Sequence, residues 1–348
     1  MAIPSRTTTT DAEGGRLWVY PRDIPGLFHH MHRWTSVALH LFLFVVPWLT
    51  IHGERVLFID LPARRMWVLG TLYTAADGVI LMLLGLLAAF SLFFFTSLFG
   101  RLWCGYLCPQ SVFLINWVLP IEQWIEGDWR ARIKRDDKGF SGATTLRKGA
   151  KFVLFAVIAT ALSMAFMGFF SDPWALWSLR AGGANYAIVA AFAGMWFFDF
   201  AYAREQVCNY VCPYARFQGA LMDDQSLTIT YDVDRGEARG GKGAAADGRC
   251  LDCNWCVQVC PQGIDIRDGF QLECIACGRC VDACTSVMHK ASPRTRTLVS
   301  YGTVAESRGE TAKPGRGRTW LYGALLGGLA VALVAVLVSR VPFEMTVN

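Results

Sequence analysis

The segment from Cys250 to Cys284 constrains this chain more than any other stretch of its sequence. It contains two runs of the form Cys-x2-Cys-x2-Cys-x3-Cys, the first followed by Pro261 and the second by Thr285. Three cysteines at this spacing hold one face of a [4Fe–4S] cubane, and the fourth crosses to the other cluster. Zinc sites usually take two pairs of ligands, and disulfides are the other alternative. The doubled quartet therefore predicts two [4Fe–4S] clusters.

The crossing of the fourth cysteine divides the eight residues into two predicted ligand sets. One cluster is predicted at Cys250, Cys253, Cys256 and Cys284, and the second at Cys274, Cys277, Cys280 and Cys260. Two clusters so close together form an electron wire. Because cluster ligands must be thiolates, the cysteine-rich segment is expected in a reducing compartment.

The composition of the chain is that of a membrane protein. Hydrophobic residues make up 53% of the 348 residues and charged residues only 18%, which is unusually apolar for a soluble domain. Apolar stretches long enough to cross a bilayer predict five spans: Trp34–Ile51, Val79–Phe99, Phe152–Phe170, Tyr186–Tyr202 and Trp320–Val338. The shorter run Ser111–Ile125 contains Pro120, and it predicts an interfacial or re-entrant helix.

The predicted fold is mainly α, a polytopic membrane protein with about five transmembrane helices and an inserted bacterial-type 2[4Fe–4S] ferredoxin-like α+β module. Its predicted sections are an N-terminal cytoplasmic tail (1–33), a four-span membrane domain (34–203), a connector (204–234), the ferredoxin-like domain (235–301), a linker (302–319), the fifth helix (320–338) and a periplasmic tail (339–348). Ser226–Val233 predicts a short strand.

The distribution of lysine and arginine predicts the orientation of the spans in the bacterial inner membrane. Residues 1–33 and 100–151 hold 13 of these cations, whereas residues 53–78, 171–184 and 339–348 hold five. The cation-rich side is the cytoplasmic one, which places the cluster segment inside and the C-terminus outside. The net charge of +5 is thereby explained by topology, and nucleic acid is not an expected partner.

Four further cysteines form an internal repeat of two Cys-x3-Cys-Pro motifs. Cys104 and Cys108 precede Pro109, and Cys208 and Cys212 precede Pro213. On a helix, cysteines at positions i and i+4 share a face, and the proline ends the helix or begins another. These four residues are the candidate catalytic thiols. Soft thiolates favour Cu(I), zinc or a third iron–sulfur cluster, and simple packing of buried thiols is the alternative.

Two ionisable residues lie inside predicted spans. His40, in the first span, is a candidate ligand for haem or copper, or else a residue hydrogen-bonded between helices. Asp199, near the end of the fourth span, is a candidate proton relay or ion-pair partner. A glycine-rich dinucleotide motif is not visible in the sequence, so the electron donor is left open between another protein, a quinol and an unrecognised site.

The segments GRLWCGYLCPQ, REQVCNYVCPYARFQ, YDVDRGEARG and CLDCNWCVQVCPQGIDIRDGFQLECIACGRCVDAC closely resemble the FixG/RdxA/CcoG family of cytochrome c oxidase accessory proteins. The resemblance extends from about Leu17 to Phe343. It implies a membrane-bound cupric reductase that supplies Cu(I) for assembly of the cbb(3)-type oxidase. Copper would be handled at the two Cys-x3-Cys-Pro motifs, with electrons from the two clusters.

The resemblance also implies partners and leaves alternatives. The implied partners are membrane lipid, copper ions, and oxidase assembly factors or copper transporters and chaperones. Family members usually continue into a periplasmic immunoglobulin-like domain, to which the printed sequence has no counterpart after Val338. The alternatives are a quinol-oxidising membrane ferredoxin resembling the NapH or NosR type, and a non-redox copper-handling scaffold. The eight cluster ligands weigh against a scaffold.

Overall fold

A computed structural model describes residue 9 and residues 15–139, 141–241, 244, 247–291, 295–313 and 315–339. Most of the first 14 residues of the predicted N-terminal tail, and residues 340–348 of the predicted periplasmic tail, lie outside this described part. Its α-helices are α1 (Leu27–Val45), α2 (Gly78–Phe99), α3 (Leu102–Tyr106), α4 (Pro109–Phe113), α5 (Leu119–Glu126), α6 (Trp129–Lys138), α7 (Gly142–Met167), α8 (Pro173–Trp177), α9 (Gly183–Phe198), α10 (Pro213–Leu221), α11 (Val233–Gly236), α12 (Trp255–Gln258), α13 (Arg279–Ala291), α14 (Val304–Ser307) and α15 (Gly317–Ser339).

Shorter elements connect these helices. The strands are β1 (Thr50–Ile51), β2 (Glu54–Arg55), β3 (Leu57–Asp60), β4 (Arg65–Val68), β5 (Thr71–Thr74), β6 (Leu227–Tyr231) and β7 (Val299–Thr303). They form three antiparallel sheets, β1–β2, β3–β4–β5 and β6–β7. Wider π turns cover Leu114–Val118, Asp199–Ala203 and Val207–Val211.

Four helical stretches in the described part are long and apolar enough to cross a membrane. They are Ala75–Phe99, Gly142–Met167, Gly183–Ala203 and Gly317–Ser339, and they match the predicted second to fifth spans. Within this group α2 packs on α15 through Ile80, Leu83 and Leu333. The remaining apolar surface of these helices is largely exposed, as expected of helices that face lipid.

The predicted first span, Trp34–Ile51, is wrong in its limits. Its helix, α1, begins at Leu27 and ends at Val45, and the predicted end forms strand β1. Pro47 stops the helix because it lacks an N–H and its ring clashes with the preceding turn. The added N-terminal residues include His29 and other polar side chains, and α1 is not among the four spans selected by length and composition.

Helix α1 nevertheless joins the same two ends of the molecule as the four apolar helices. At its start, the backbone N–H of His29 donates to Asp282 Oδ2 (2.8 Å) in α13. Beyond its other end, the Ile59 N–H in β3 donates to the Phe169 carbonyl (2.8 Å), just after α7. The cysteine-rich segment and the sheet β3–β4–β5 therefore lie at opposite ends of the helices.

The apolar run Ser111–Ile125 forms a helical rod inside the protein. It runs from α4 through the π turn Leu114–Val118 into α5, and its apolar face is buried against Phe155 of α7 and Phe200. Pro120 lies in the first turn of α5, where a missing N–H is tolerated. Packing against protein thus accounts for the hydrophobicity of this run.

The strand predicted at Ser226–Val233 is confirmed as β6, with limits Leu227–Tyr231. It pairs with β7 in a register that sets Leu227 opposite Thr303 and Tyr231 opposite Val299. This pairing draws β6, which lies before the predicted domain boundary at residue 235, into the same unit as the cysteine-rich segment. Ile229, Val299 and Met288 form part of its buried core.

A buried ion cluster joins α5, α6, α7 and the segment after α9. Glu122 accepts hydrogen bonds from Arg132 (2.6 Å), Arg204 (3.2 Å) and Lys151 (3.4 Å). Burial opposes ionisation of this carboxyl, but the three cations outweigh burial and lower the pKa of Glu122 below its usual value of 4.5. Glu122 therefore stabilises the fold while ionised, and this contribution is lost as the pH falls below about 4.5.

Replacement of Glu122 by glutamine is expected to destabilise the protein by about 3–5 kcal/mol, because three buried cations lose their shared counter-charge. Thermal unfolding in detergent at neutral pH measures this loss. The exposed Glu310→Gln change is the matched control and should leave the midpoint within about a degree of the parent protein. Equal midpoints for the two variants would contradict the assigned role of Glu122.

Candidate iron–sulfur and thiol site

The first predicted ligand set surrounds a cavity of about 390 Å³ in the cysteine-rich unit. Cys250, Cys253, Cys256 and Cys284 all line it, and its other walls include the side chains of Met288 and Leu298. The fourth cysteine comes from α13, so the crossing that the spacing predicts is present in the fold. The thiol donors and the apolar walls fit a [4Fe–4S] cubane, and the ligand assignment stays a prediction.

The second predicted set surrounds a neighbouring cavity of about 340 Å³. Cys260, Cys274, Cys277 and Cys280 line it together with isoleucine side chains, and Cys256 reaches its wall from the first set. A shared wall residue means that two clusters held here would be close neighbours. Burial raises the pKa of Cys274 to about 11 and that of Cys260 to about 12. These thiols ionise only when a bound cation replaces the proton.

The two cysteine runs share one backbone conformation. The residues on either side of the second cysteine have positive φ in both runs: Asp252 (51°) and Asn254 (58°) around Cys253, and Ala276 (51°) and Gly278 (76°) around Cys277. Left-handed residues next to ordinary ones turn successive backbone N–H groups toward a common point, which suits an anionic cluster. At position 278 a Cβ would also lie only 2.6 Å from the Phe28 ring, so glycine is required there twice over.

The two ligand sets differ in exposure. Cys274, Cys277 and Cys280 are buried, whereas Cys253 is exposed to solvent. The second set is instead enclosed by protein, including groups from the membrane helices. One end of the predicted wire therefore faces solvent, and the other faces the Cys-x3-Cys-Pro motifs.

Each Cys-x3-Cys-Pro motif spans a break between two helical segments. Cys104 lies in α3, and Cys108 caps α4 with extended backbone (φ −65°, ψ 125°). In the second motif Cys208 lies in the π turn, and Cys212 caps α10 with nearly the same backbone (φ −70°, ψ 110°). The i, i+4 pairs thus do not share one continuous helix face, because each proline begins a new helix.

The four thiols of these motifs lie within electrostatic range of one another. Burial raises the pKa of Cys208, and negative charge on the other three cysteines raises it further. Burial likewise raises the pKa of Cys104 to about 11, while the nearby Arg101 guanidinium works against this shift. The fold therefore brings together the two motifs, which are 104 residues apart in the chain, beside one cation that sequence reasoning did not single out.

The first motif packs directly on the second cluster loop. Cys104 belongs to the same buried cluster as Cys277 and Ile275. A Cβ on Gly105 would lie 2.7 Å from the Ile275 carbonyl oxygen and 3.0 Å from that of Ala276. Glycine at this position therefore lets α3 approach the loop with its backbone. Cys104 Sγ also donates to Gln218 Oε1 (2.8 Å) in α10.

Three ring side chains hold the same loop from the other direction. His32 donates through Nε2 to the Cys277 carbonyl (2.8 Å), and Tyr106 donates to the same oxygen (3.2 Å). Tyr301 donates to the Ala276 carbonyl (2.5 Å). The His32 and Tyr106 rings are stacked, with centroids 4.3 Å apart. No spacing rule marks these residues, because they come from three separate segments.

Single-ion chelation is not visible in the part of the chain that the structure describes. No three His, Cys, Asp or Glu side chains converge there on a point that would hold one metal ion. This holds for the two cysteine quartets as well as for the two motifs. Thiols around a cubane stand apart because the cluster fills the space between them, so this spacing fits the predicted clusters and leaves the ligand of the motifs open.

The two ionisable residues of the predicted spans have local hydrogen bonds. His40 Nδ1 contacts the Ser36 carbonyl oxygen (2.6 Å) within α1. Asp199 Oδ1 accepts from Gln110 Nε2 (2.8 Å), two residues after Cys108. A ligand role for His40 and a relay role for Asp199 therefore stay predictions, and Asp199 gains a position beside the first motif.

Comparisons with known proteins agree with this architecture. A family model described as a 4Fe-4S dicluster domain matches residues 203–304, and one described as a 4Fe-4S binding domain matches residues 81–117. Together with the apolar helices, these matches define the class of the protein as a membrane-bound iron–sulfur electron-transfer protein. No solved structure matches the chain.

Three curated relatives identify the family. Protein RdxA of Cereibacter sphaeroides is 34% identical over 95% of this chain and 74% of its own length. Nitrogen fixation protein FixG of Rhizobium meliloti is 37% identical over 83% of this chain and 57% of its own length. Ferredoxin-type protein NapH of Escherichia coli is 25% identical over 73% of this chain and 87% of its own. The chain belongs to the FixG/RdxA family.

Loss of iron in double variants tests the predicted ligand sets. Cys284→Ser and Cys280→Ser lie one turn apart on α13 yet are expected to remove different clusters. Each should reduce bound iron from about eight to about four atoms per chain. Adding Cys253→Ser to Cys284→Ser should cost no further iron, whereas adding it to Cys280→Ser should remove nearly all of it. Iron analysis and electron paramagnetic resonance measure both quantities, and the reverse pattern of additivity would refute the crossing.

Proposed function

We propose that the protein is a membrane-bound cupric reductase that converts Cu(II) to Cu(I) for assembly of cbb(3)-type cytochrome c oxidase. The observation that carries the proposal is the direct packing of Cys104 and Gly105 on the loop that holds Cys277. A soft-ligand site in contact with an electron wire is the arrangement that such a reaction needs. Copper is a substrate here, and oxidase assembly factors or copper transporters and chaperones are the expected recipients.

The four motif cysteines would receive copper and favour its reduction. Thiolates bind Cu(I) more readily than Cu(II) because Cu(I) is the softer ion. Arg101 lies beside the thiol group and favours thiolate at Cys104. Gln218 accepts from the Cys104 thiol and is itself held by Tyr214 (2.9 Å), which fixes the orientation of this sulfur. When bound, the two clusters supply single electrons, and each cupric ion takes one.

Two other functions differ from this proposal in the fate of the electrons. A NapH-like ferredoxin would pass them to a partner protein, and the similarity to NapH covers most of that relative. A copper-handling scaffold would need no electrons, although the fold brings each set of four cysteines to its own cavity. Copper-dependent oxidation of the reduced protein separates the reductase from both alternatives.

Reduced protein is expected to lose its electrons rapidly when Cu(II) is added, because copper reaches thiols in contact with the second cluster loop. Cys104→Ser or Cys208→Ser should slow this oxidation by about tenfold or more while leaving iron content unchanged. Stopped-flow absorbance of anaerobic protein measures the rate. Thr285→Ser is a conservative control outside the motifs. If the Cys104/Cys208 double variant is oxidised as fast as the parent protein, the copper site is elsewhere.

We also propose that the cluster domain is cytoplasmic and the C-terminus periplasmic. The 13 to five distribution of lysine and arginine between the two sides supports this orientation, as does the reducing environment that thiolate ligands need. A reporter enzyme fused near Arg239 should behave as cytoplasmic, and one fused after Val347 as periplasmic. Paired alkaline phosphatase and fluorescent-protein fusions measure this, and the inverse result would exclude the orientation.

A further inference from the structure

A second cavity, of about 990 Å³, lies away from the predicted clusters where α6, α7 and the end of α9 meet the N-terminal segment. Four aromatic side chains line it: Trp18, Tyr20, Phe152 and Tyr202. Trp18 and Tyr202 keep more than a third of their surface exposed, and Phe152 and Tyr202 belong to apolar helices. Its size and aromatic walls are those of a site for a small organic ligand that enters beside the membrane helices.

The polar wall of this cavity is the buried ion cluster around Glu122. Arg132 and Arg204 are each at least 97% buried, yet their Nε atoms make no hydrogen bond within the described residues. The nearest carboxylates, Glu126 and Glu205, stand 3.5 Å from them. Buried donors without partners are costly, so these two guanidinium groups are placed to meet an acceptor oxygen that the protein itself does not supply.

From this cavity we propose that the protein oxidises a membrane quinol, whose headgroup binds among Tyr20, Arg132 and Arg204. The inference rests on the proposed function, because it names the reductant of that reaction. A quinone ring offers flat faces to the aromatic walls and oxygen atoms to the arginines. The carboxylates of Glu122 and Glu126 disfavour a purely anionic ligand such as free phosphate and provide acceptors for quinol hydroxyl groups.

A short covalent path links the cavity to the thiol group. The Arg204 carbonyl oxygen accepts a hydrogen bond from Gln110 Nε2 (2.9 Å). Gln110 follows Cys108 by two residues, and Arg204 precedes Cys208 by four. The cavity wall and the two motifs are therefore built from the same two chain segments, and electrons released in the cavity have both motifs as their nearest redox-active neighbours.

The proposed reaction balances electrons and protons. One quinol loses two electrons and two protons to become quinone, and two cupric ions become two cuprous ions. The protons pass to Glu126 and then to water past Lys148 and Asp136, whose side chains are about one-third exposed. A single cupric ion takes only one electron, so two one-electron clusters provide storage for the other until a second cupric ion arrives.

The test follows the reverse electron transfer, which is downhill from chemically reduced clusters. Dithionite-reduced full-length protein in detergent, freed of excess reductant, is mixed anaerobically with decylubiquinone, and cluster oxidation is followed by absorbance. Thr144→Phe places a ring in the cavity wall and should slow oxidation by about tenfold. Thr145→Phe, at the next residue and outside the cavity, should match the parent protein.

A second pair of variants covers the case in which Thr144→Phe does not fold. Lys148→Met removes a cation that lines the cavity, and Arg147→Met removes its exposed neighbour. Slower oxidation by decylubiquinone in Lys148→Met alone agrees with the proposal. Equal rates within both pairs, or no oxidation of the parent protein by decylubiquinone, overturn it.

Copper distinguishes a failure of this inference from a failure of the proposed function. In Thr144→Phe and Lys148→Met, oxidation of the reduced protein by Cu(II) should keep the rate of the parent protein, because the motif cysteines are intact. If Cu(II) oxidation is absent from the parent protein while the quinone pairs differ as expected, the quinol site stands and the cupric reductase does not. If the cavity variants slow Cu(II) and quinone alike, the cavity has no specific quinone site.

Discussion

The contact between helix α3 and the loop that holds Cys277 is the interaction on which the function of this fold depends. Gly105 brings the α3 backbone against the carbonyls of Ile275 and Ala276, and its neighbours Cys104 and Tyr106 meet the same loop. A side chain at position 105 would separate the two by more than an ångström. Since electron transfer weakens steeply with distance, a single glycine keeps the membrane helices and the ferredoxin-like unit in one electron path.

This contact also explains why the two predicted clusters differ in surroundings. The second lies between the loop and the membrane helices, with its cysteines buried and its carbonyls held by His32, Tyr106 and Tyr301. The first keeps Cys253 at the surface. Burial and hydrogen bonding are the levers that set cluster potentials, so the fold assigns the two positions different electronic environments although their cysteine runs have the same spacing.

Sequence reasoning was effective where a property is local to a few residues. The crossing of Cys260 and Cys284 follows from spacing, and the structure sets these residues at the cavities that the spacing predicts. The four most apolar spans follow from hydropathy. It failed at α1, because polar residues before Trp34 join the helix once Asp282 accepts hydrogen bonds from its first backbone N–H groups, and hydropathy carries no record of such a contact.

The cavity beside Glu122 could not be predicted, because its charged residues come from distant segments and none forms a motif. Its physical chemistry is nevertheless informative. Burying Glu122, Arg132 and Arg204 costs desolvation energy that a well-packed apolar core would avoid. Stability alone therefore does not account for this ion cluster. Unpaired guanidinium nitrogens around open space are instead what a site for an exchangeable oxygen-bearing ligand requires, since a ligand that leaves must leave its donors behind.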